Sequence, residues 1–103
     1  MTPTFTGTYI FGNGGASLVN TAGSNAFYNM LFGSGAGYSM TTGSWNVSFG
    51  TDALHTTTNG TYNTALGFSS MKYSTDAVAN TAVGDRSLVL NTTGDYNSAL
   101  GSM

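Results

Sequence analysis

Five short stretches of the chain alternate between bulky residues and small or polar residues. The bulky positions are Tyr28/Met30/Phe32, Trp45/Val47/Phe49, Tyr62/Thr64/Leu66, Ala79/Thr81/Val83 and Tyr96/Ser98/Leu100. Between them lie an asparagine and a mostly small residue, and a glycine ends each stretch. Because side chains alternate between the two faces of a strand, this pattern predicts β-strands with one bulky face and one closely packed face.

The stretches recur at one fixed interval, the step from Gly33 to Gly50. Three sets of positions keep this step: Asn29, Asn46, Asn63, Asn80 and Asn97; Gly33, Gly50, Gly67, Gly84 and Gly101; and Thr41, Thr58, Thr75 and Thr92. Strands that repeat in register stack as rungs about 4.8 Å apart, so that equivalent residues form ladders. The sequence therefore predicts an all-β protein, a β-solenoid with 17-residue coils.

A second short apolar element follows each glycine. It contains Leu54, Met71 or Leu88 and precedes a Thr-x-Gly group that suits a turn. Each coil is thus predicted to run strand, turn, short strand, turn.

Equivalent positions of consecutive coils form columns, and we expect each column to have its own role. The predicted core is the apolar ladder Phe32, Phe49, Leu66, Val83 and Leu100. The predicted stacking residues are Asn46, Asn63, Asn80 and Asn97, with Gly50, Gly67, Gly84 and Gly101 closing the strands. Another backbone could approach the small residues Ala65, Ala82 and Ala99 closely, so we expect these to be inter-chain contacts in a closed ring.

The register weakens towards the N-terminus, where the step from Gly12 to Gly33 is longer than the step from Gly33 to Gly50. We therefore divide the chain into three parts. Residues 1–12 are a predicted lead-in or attachment segment, residues 13–40 are irregular first coils, and residues 41–103 are regular solenoid repeats.

Charge and composition exclude several classes of function. Only 6% of residues are charged, the net charge is −2, and no basic cluster is present. Nucleic acids and anionic membrane surfaces are therefore not expected partners, because both are recognised through lysine and arginine. Apolar residues make up 40% of the chain, which favours a folded protein over a disordered linker.

Catalytic chemistry has little basis in the sequence. His55 is the sole histidine, the chain has no cysteine, and the four aspartates occupy unlike positions of the repeat. The glycine-rich segments 12–15 and 33–37 lack the lysine and helix of a phosphate-binding loop, so they are expected to be turns. We predict no enzyme activity, no catalytic residues, no cofactor and no metal site.

Three phrases, Asn63-Thr-Ala-Leu-Gly67, Asn80-Thr-Ala-Val-Gly84 and Asn97-Ser-Ala-Leu-Gly101, are joined by Ser87-Leu88 and Asn91-Thr-Thr-Gly94. They resemble the head repeats of trimeric autotransporter adhesins, which also occur in bacteriophage tail fibres. The resemblance covers residues 41 to 103 well and residues 23 to 40 loosely. It implies a left-handed parallel β-roll, with three chains around one axis, on a virion or cell surface.

The N-terminus lacks the basic residues and apolar run of a secretory signal, and Met1 can be a native start. This favours a phage tail fibre in the virion, attached to other tail proteins through its N-terminal segment, over an autotransporter head on the extracellular surface of a bacterium. Because the chain stops in mid-phrase, we expect it to continue or to be capped by another chain.

Two further binding functions stay open. A row of threonine hydroxyls at coil spacing is typical of ice-binding solenoids. Host surface glycan is a further candidate partner, in grooves where Trp45, Tyr62, Tyr73 or Tyr96 could stack on sugars.

Overall fold

Six three-residue strands stack in chain order into one parallel sheet, with one rung per coil. The structure is a computed structural model that describes residues 7–12, 20–21, 24–25 and 27–102. Its strands are β1 (Tyr9–Phe11), β2 (Asn20–Thr21), β3 (Ser24–Asn25), β4 (Met30–Phe32), β5 (Val47–Phe49), β6 (Thr64–Leu66), β7 (Thr81–Val83) and β8 (Ser98–Leu100). Strands β2 and β3 form a separate antiparallel pair. The described residues contain no helix, and hence none long and apolar enough to cross a membrane.

The register of the sheet follows the sequence repeat. From β4 onwards, each residue pairs with the equivalent residue of the next coil, as in Met30 with Val47 and Val47 with Thr64. The same step continues through β7 and β8. The predicted all-β solenoid, with a spacing of about 17 residues between rungs, is thus confirmed.

The first rung lies further towards the N-terminus than the sequence predicts. Strand β1 pairs in register with β4, Tyr9 with Met30, so Tyr9–Phe11 belongs to the same sheet as the regular coils. The longer step fits because the additional residues lie in the connection between rungs and leave the rungs themselves unchanged. Regular stacking also begins before residue 41, since β4 already pairs with β5. The remainder of the predicted lead-in and of the irregular first coils falls partly at 1–6, 13–19, 22–23 and 26, outside the described residues.

The interior of the coil is lined by the column of small residues, such as Ala65 and Ala82, and not by the bulky column predicted as the core. Ala65 and Ala82 are fully buried, and they pack with Leu54 and Met71 from the opposite wall of the coil. So short a coil encloses so little space that its strand side accommodates mainly alanine and serine. The predicted core ladder Phe32, Phe49, Leu66, Val83 and Leu100 is therefore wrong for the interior of the chain. These side chains lie on the outer face of the sheet, where Phe49 is 57% and Leu100 is 87% exposed.

The burial of the small column also corrects the predicted inter-chain contacts. Ala65 and Ala82 have no exposed surface, so another chain cannot contact them. Ala99, in the last strand of the sheet, is half-buried.

The second apolar element is a turn and not the predicted strand. Leu54, Met71 and Leu88 have φ angles of 53°, 52° and 51°, in the left-handed region. Their backbone still bonds to the neighbouring coil: the amide of Leu54 donates to the carbonyl of Ser70, and that of Met71 to the carbonyl of Ser87, both at 3.0 Å. Large side chains thus reach the core from a tightly turned backbone.

Opposite walls of the coil compensate each other in volume. In the coil that contains β4, Leu31 replaces the usual small residue on the strand side and is fully buried. The facing column, occupied elsewhere by leucine or methionine, there holds Gly37, where an added Cβ would lie 2.9 Å from Leu31 Cδ1. The unusual phrase Asn29-Met-Leu-Phe-Gly33 therefore keeps the coil's internal volume.

The glycine that ends each strand permits close approach of consecutive coils. Gly50 has a φ of 138°, and a Cβ added to it would lie 2.5 Å from the carbonyl oxygen of Gly67. Gly101 has a similar φ of 127°, but a Cβ there would meet nothing within 4 Å. Comparing substitutions at Gly50 and Gly101 therefore separates the cost of backbone strain from the cost of a steric clash between two coils.

Substituting Gly50→Ala should destabilise the protein more than Gly101→Ala. Both variants place alanine at a positive φ, which costs about 1 to 3 kcal/mol. Only Gly50→Ala also forces two coils apart, which we expect to add about 2 kcal/mol or more. Thermal and urea unfolding followed by circular dichroism measure the difference. Equal losses in the two variants would contradict the role of this glycine in stacking.

Candidate functional site

A ladder of buried asparagines joins consecutive coils. The backbone amide and side-chain Nδ2 of Asn63 both donate to Oδ1 of Asn46, at 3.0 and 3.1 Å. Nδ2 of Asn63 also donates to the carbonyl of Ala77 at 2.7 Å, and Oδ1 of Asn63 accepts from the amide and Nδ2 of Asn80. Each central amide thus makes two donor and two acceptor bonds, which satisfies an asparagine side chain completely.

The structure brings the predicted stacking asparagines together, with a difference at the C-terminal rung. Asn29, Asn46, Asn63 and Asn80 are at most 1% exposed. Asn97 donates its backbone amide to Oδ1 of Asn80 at 2.8 Å, but the residue itself is exposed. The ladder is therefore a structural element and offers no buried amide for binding another molecule.

The outer apolar face exposes several large apolar side chains. We define it by the two outward columns of the sheet: Tyr9, Met30, Val47, Thr64, Thr81 and Ser98, and Phe11, Phe32, Phe49, Leu66, Val83 and Leu100. The ring centroids of Phe11 and Phe32 lie 4.8 Å apart, and those of Phe32 and Phe49 lie 5.3 Å apart. These three rings border an open cleft of about 470 Å³. An exposed apolar cleft of this kind is a candidate interaction site.

The sequence contains a signal for which face of the sheet points outward. It lies in the first of the two outward columns. Thr64, Thr81 and Ser98 occupy positions that share a face with Phe49 and Leu100. Polar residues are expected to stay solvated, whereas the alternate column Leu31, Ser48, Ala65, Ala82 and Ala99 carries no charge and little volume. This contrast indicates that the face with Thr64, Thr81 and Ser98 points outward, although residue size alone indicates that this face points inward.

An aromatic column lies at the N-terminal margin of the strands. We define it as Tyr28, Trp45, Tyr62 and Tyr96, with Ala79 between the last two. Tyr28 stacks on Trp45 with ring centroids 5.9 Å apart, and Trp45 stacks on Tyr62 at 5.0 Å. All five residues have φ angles between 56° and 60°, which shortens the predicted strands to three residues each.

A small polar cluster of Asp52, His55 and Lys72 lies in the turns between the strands. Lys72 Nζ lies 3.0 Å from Asp52 Oδ2, and His55 Nε2 lies 3.9 Å from Asp52 Oδ1. The hydrogen bond to Asp52 raises the pKa of Lys72 above its ordinary value of 10.5. His55 stacks on the ring of Tyr38, with centroids 5.2 Å apart. Within the described ranges, no three histidine, cysteine, aspartate or glutamate residues come together as a metal site.

Three of the four threonines in the column Thr41, Thr58, Thr75 and Thr92 donate hydrogen bonds within the protein. The hydroxyl of Thr41 donates to the carbonyl of Thr58 at 3.4 Å, and that of Thr75 donates to the carbonyl of Thr92 at 3.3 Å. The Thr58 hydroxyl donates to Oδ1 of Asp76 at 3.1 Å. The donors of these three hydroxyls are thus used within the protein, and ice binding by this column stays a prediction.

Comparison with protein-family models, curated proteins and solved structures gave no match to this chain. Functional proposals therefore depend on the chain's own surfaces, above all on the outer apolar face and the aromatic column.

Substituting Asn63→Ala should destabilise the solenoid by more than about 3 kcal/mol, because it leaves several buried donors and acceptors without partners. Asn97→Ala is the matched control, since Asn97 occupies the same column but is exposed. We expect it to cost less than about 1 kcal/mol. Chemical unfolding measures both values, and an Asn63→Ala variant as stable as Asn97→Ala would contradict the role of the buried ladder.

Proposed function

We propose that the chain is a structural, non-catalytic segment of a bacteriophage tail fibre that assembles as a homotrimer and contributes to host attachment. The observation that carries this proposal is the outer apolar face, which runs along all six rungs of the sheet. The repeat phrases between Asn63 and Gly101 support the fibre assignment through their resemblance to head repeats.

The outer apolar face favours association because the chain alone leaves it in water. Phe11, Met30, Phe49 and Leu100 are each at least 46% exposed. Six rungs at about 4.8 Å spacing make an apolar stripe of about 24 Å, parallel to the stacking axis. Burying such a stripe gains about 25 cal/mol per Å² of apolar surface removed from water.

A closed arrangement around a shared axis covers this face on every chain. Parallel solenoids placed around such an axis bring equivalent rungs to the same height, so bulky rungs meet bulky rungs. The resemblance to trimeric head repeats favours three chains and left-handed coils. This arrangement replaces the association through Ala65 and Ala82, whose side chains are buried within the chain.

In the virion, the N-terminal segment would attach the fibre to other tail proteins, and the solenoid would act as a spacer that displays its surface to the host. The head of a bacterial trimeric autotransporter adhesin is the alternative setting for the same trimer. It would place the chain on the extracellular surface of a bacterium.

Substituting Phe49→Asp should dissociate the trimer, because it places a charge in the centre of the outer apolar face. Tyr73→Asp is the matched control, since Tyr73 is also a half-exposed aromatic residue but lies in the turn on the other side of the coil. Sedimentation equilibrium at micromolar concentration should give three chain masses for the unsubstituted protein and for Tyr73→Asp, and one for Phe49→Asp. A monomeric unsubstituted protein would refute the trimer.

Immunogold labelling tests the setting. Antibodies against the purified chain should label the tails of phage particles induced from the source genome, and should reduce adsorption of those particles to host cells. Labelling of the bacterial surface without labelled particles would instead assign the chain to an adhesin.

A further inference from the structure

The aromatic column is interrupted once, at Ala79. Tyr28, Trp45 and Tyr62 occupy consecutive coils and stack on one another, whereas Tyr62 and Tyr96 are two coils apart. Tyr62 is 57% exposed and Tyr96 is 80% exposed, compared with 47% for Trp45, which has a ring on each side. Between Tyr62 and Tyr96, the column therefore has a slot with Ala79 at its base.

The dimensions of the slot follow from the stacking of the coils. Two coil steps of about 4.8 Å separate the backbones of Tyr62 and Tyr96 by about 10 Å. The neighbouring pair Trp45 and Tyr62, one step apart, has its ring centroids at 5.0 Å. Two such steps give the space that a single six-membered ring needs to stack on a wall at each side.

The rim of the slot is polar although its walls are aromatic. Two residues further along the chain lie Thr81 and Ser98, the exposed hydroxyl residues that begin strands β7 and β8. On the other side lies the exposed Asp95, whose Oδ1 accepts a hydrogen bond from the amide of Val78 at 2.7 Å. Asp95 and the two hydroxyls can bond to groups at the edge of a ring that is held between the aromatic walls.

We propose that Tyr62, Ala79 and Tyr96 form a binding site for one pyranose ring of a neutral glycan. A pyranose has C–H groups on its faces and hydroxyls around its edge, which matches aromatic walls with a polar rim. A glucose-configured β-pyranose suits the slot best, because all its ring substituents are equatorial and both faces are free to stack. A galactose-configured ring has an axial hydroxyl at C4, which obstructs one face.

The site shares Thr81 and Ser98 with the outer apolar face, whereas its aromatic walls and Asp95 lie at the margin of the strands. Its role in host attachment rests on the proposed function, but sugar binding by the site does not require the trimer. The Phe49→Asp variant is therefore expected to retain binding even when it is monomeric.

Substituting Ala79→Tyr tests the site directly. This residue type is compatible with the fold, because tyrosine or tryptophan occupies the equivalent position of four other coils at a closely similar φ. The new ring would fill the slot, complete the aromatic column and weaken sugar binding by at least about tenfold. Ala79→Gly is the matched control: it leaves the slot open, suits the positive φ, and should bind as the unsubstituted chain does.

The measurement is saturation-transfer NMR with titration of methyl β-D-glucopyranoside, compared with methyl β-D-galactopyranoside. We expect millimolar binding of the glucoside, weaker binding of the galactoside, loss with Ala79→Tyr, and retention with Ala79→Gly and Phe49→Asp. The site is refuted if the glucoside does not bind or if Ala79→Tyr binds it unchanged. Equal binding of both sugars would refute stacking on two faces. Loss of binding in a folded Phe49→Asp variant would overturn the placement of the site within one chain.

Discussion

The hydrogen-bonded contact between one coil and the next is the interaction on which the rest of this protein depends. At each step, a buried asparagine amide bonds to the asparagine above it, to the one below it and to a neighbouring backbone carbonyl. A buried amide with all four bonds made is stable, whereas one shifted by a single residue would leave them unpaired in an apolar interior. The ladder therefore fixes the register, and the register places every other column.

The narrowness of the coil explains why the protein is apolar on the outside. Its interior admits alanine and serine on the strand side and one leucine or methionine from the opposite turn. The larger apolar residues have to lie on the outer face, where Phe11, Phe32 and Phe49 stack rung on rung. A chain of this kind leaves much of its own apolar surface in water, and the proposed association with further copies would cover it.

The regularity of the aromatic column makes its interruption at Ala79 informative. Stacked aromatic rings present mainly their edges, since each ring covers the faces of its neighbours. At Ala79 the column opens, and the faces of two tyrosines become available to another ring. Repetition thus provides the assembly surface, and a departure from repetition provides the proposed binding site.

The sequence by itself determined the all-β solenoid, the 17-residue step and the asparagine stacking, because these depend only on periodic local chemistry. Its signals for the side of the strand that faces inward disagree, because residue size favours one face whereas the polar Thr64, Thr81 and Ser98 favour the other. Residue size favoured Phe49 and Leu66 for the core, but the tertiary structure places Ala65 and Ala82 there, since the opposite wall already fills the coil. The conformation of Leu54 and Met71 was likewise decided by tertiary structure. A left-handed turn is unfavourable for these residues in isolation, and here it is held by packing and by hydrogen bonds to the next coil.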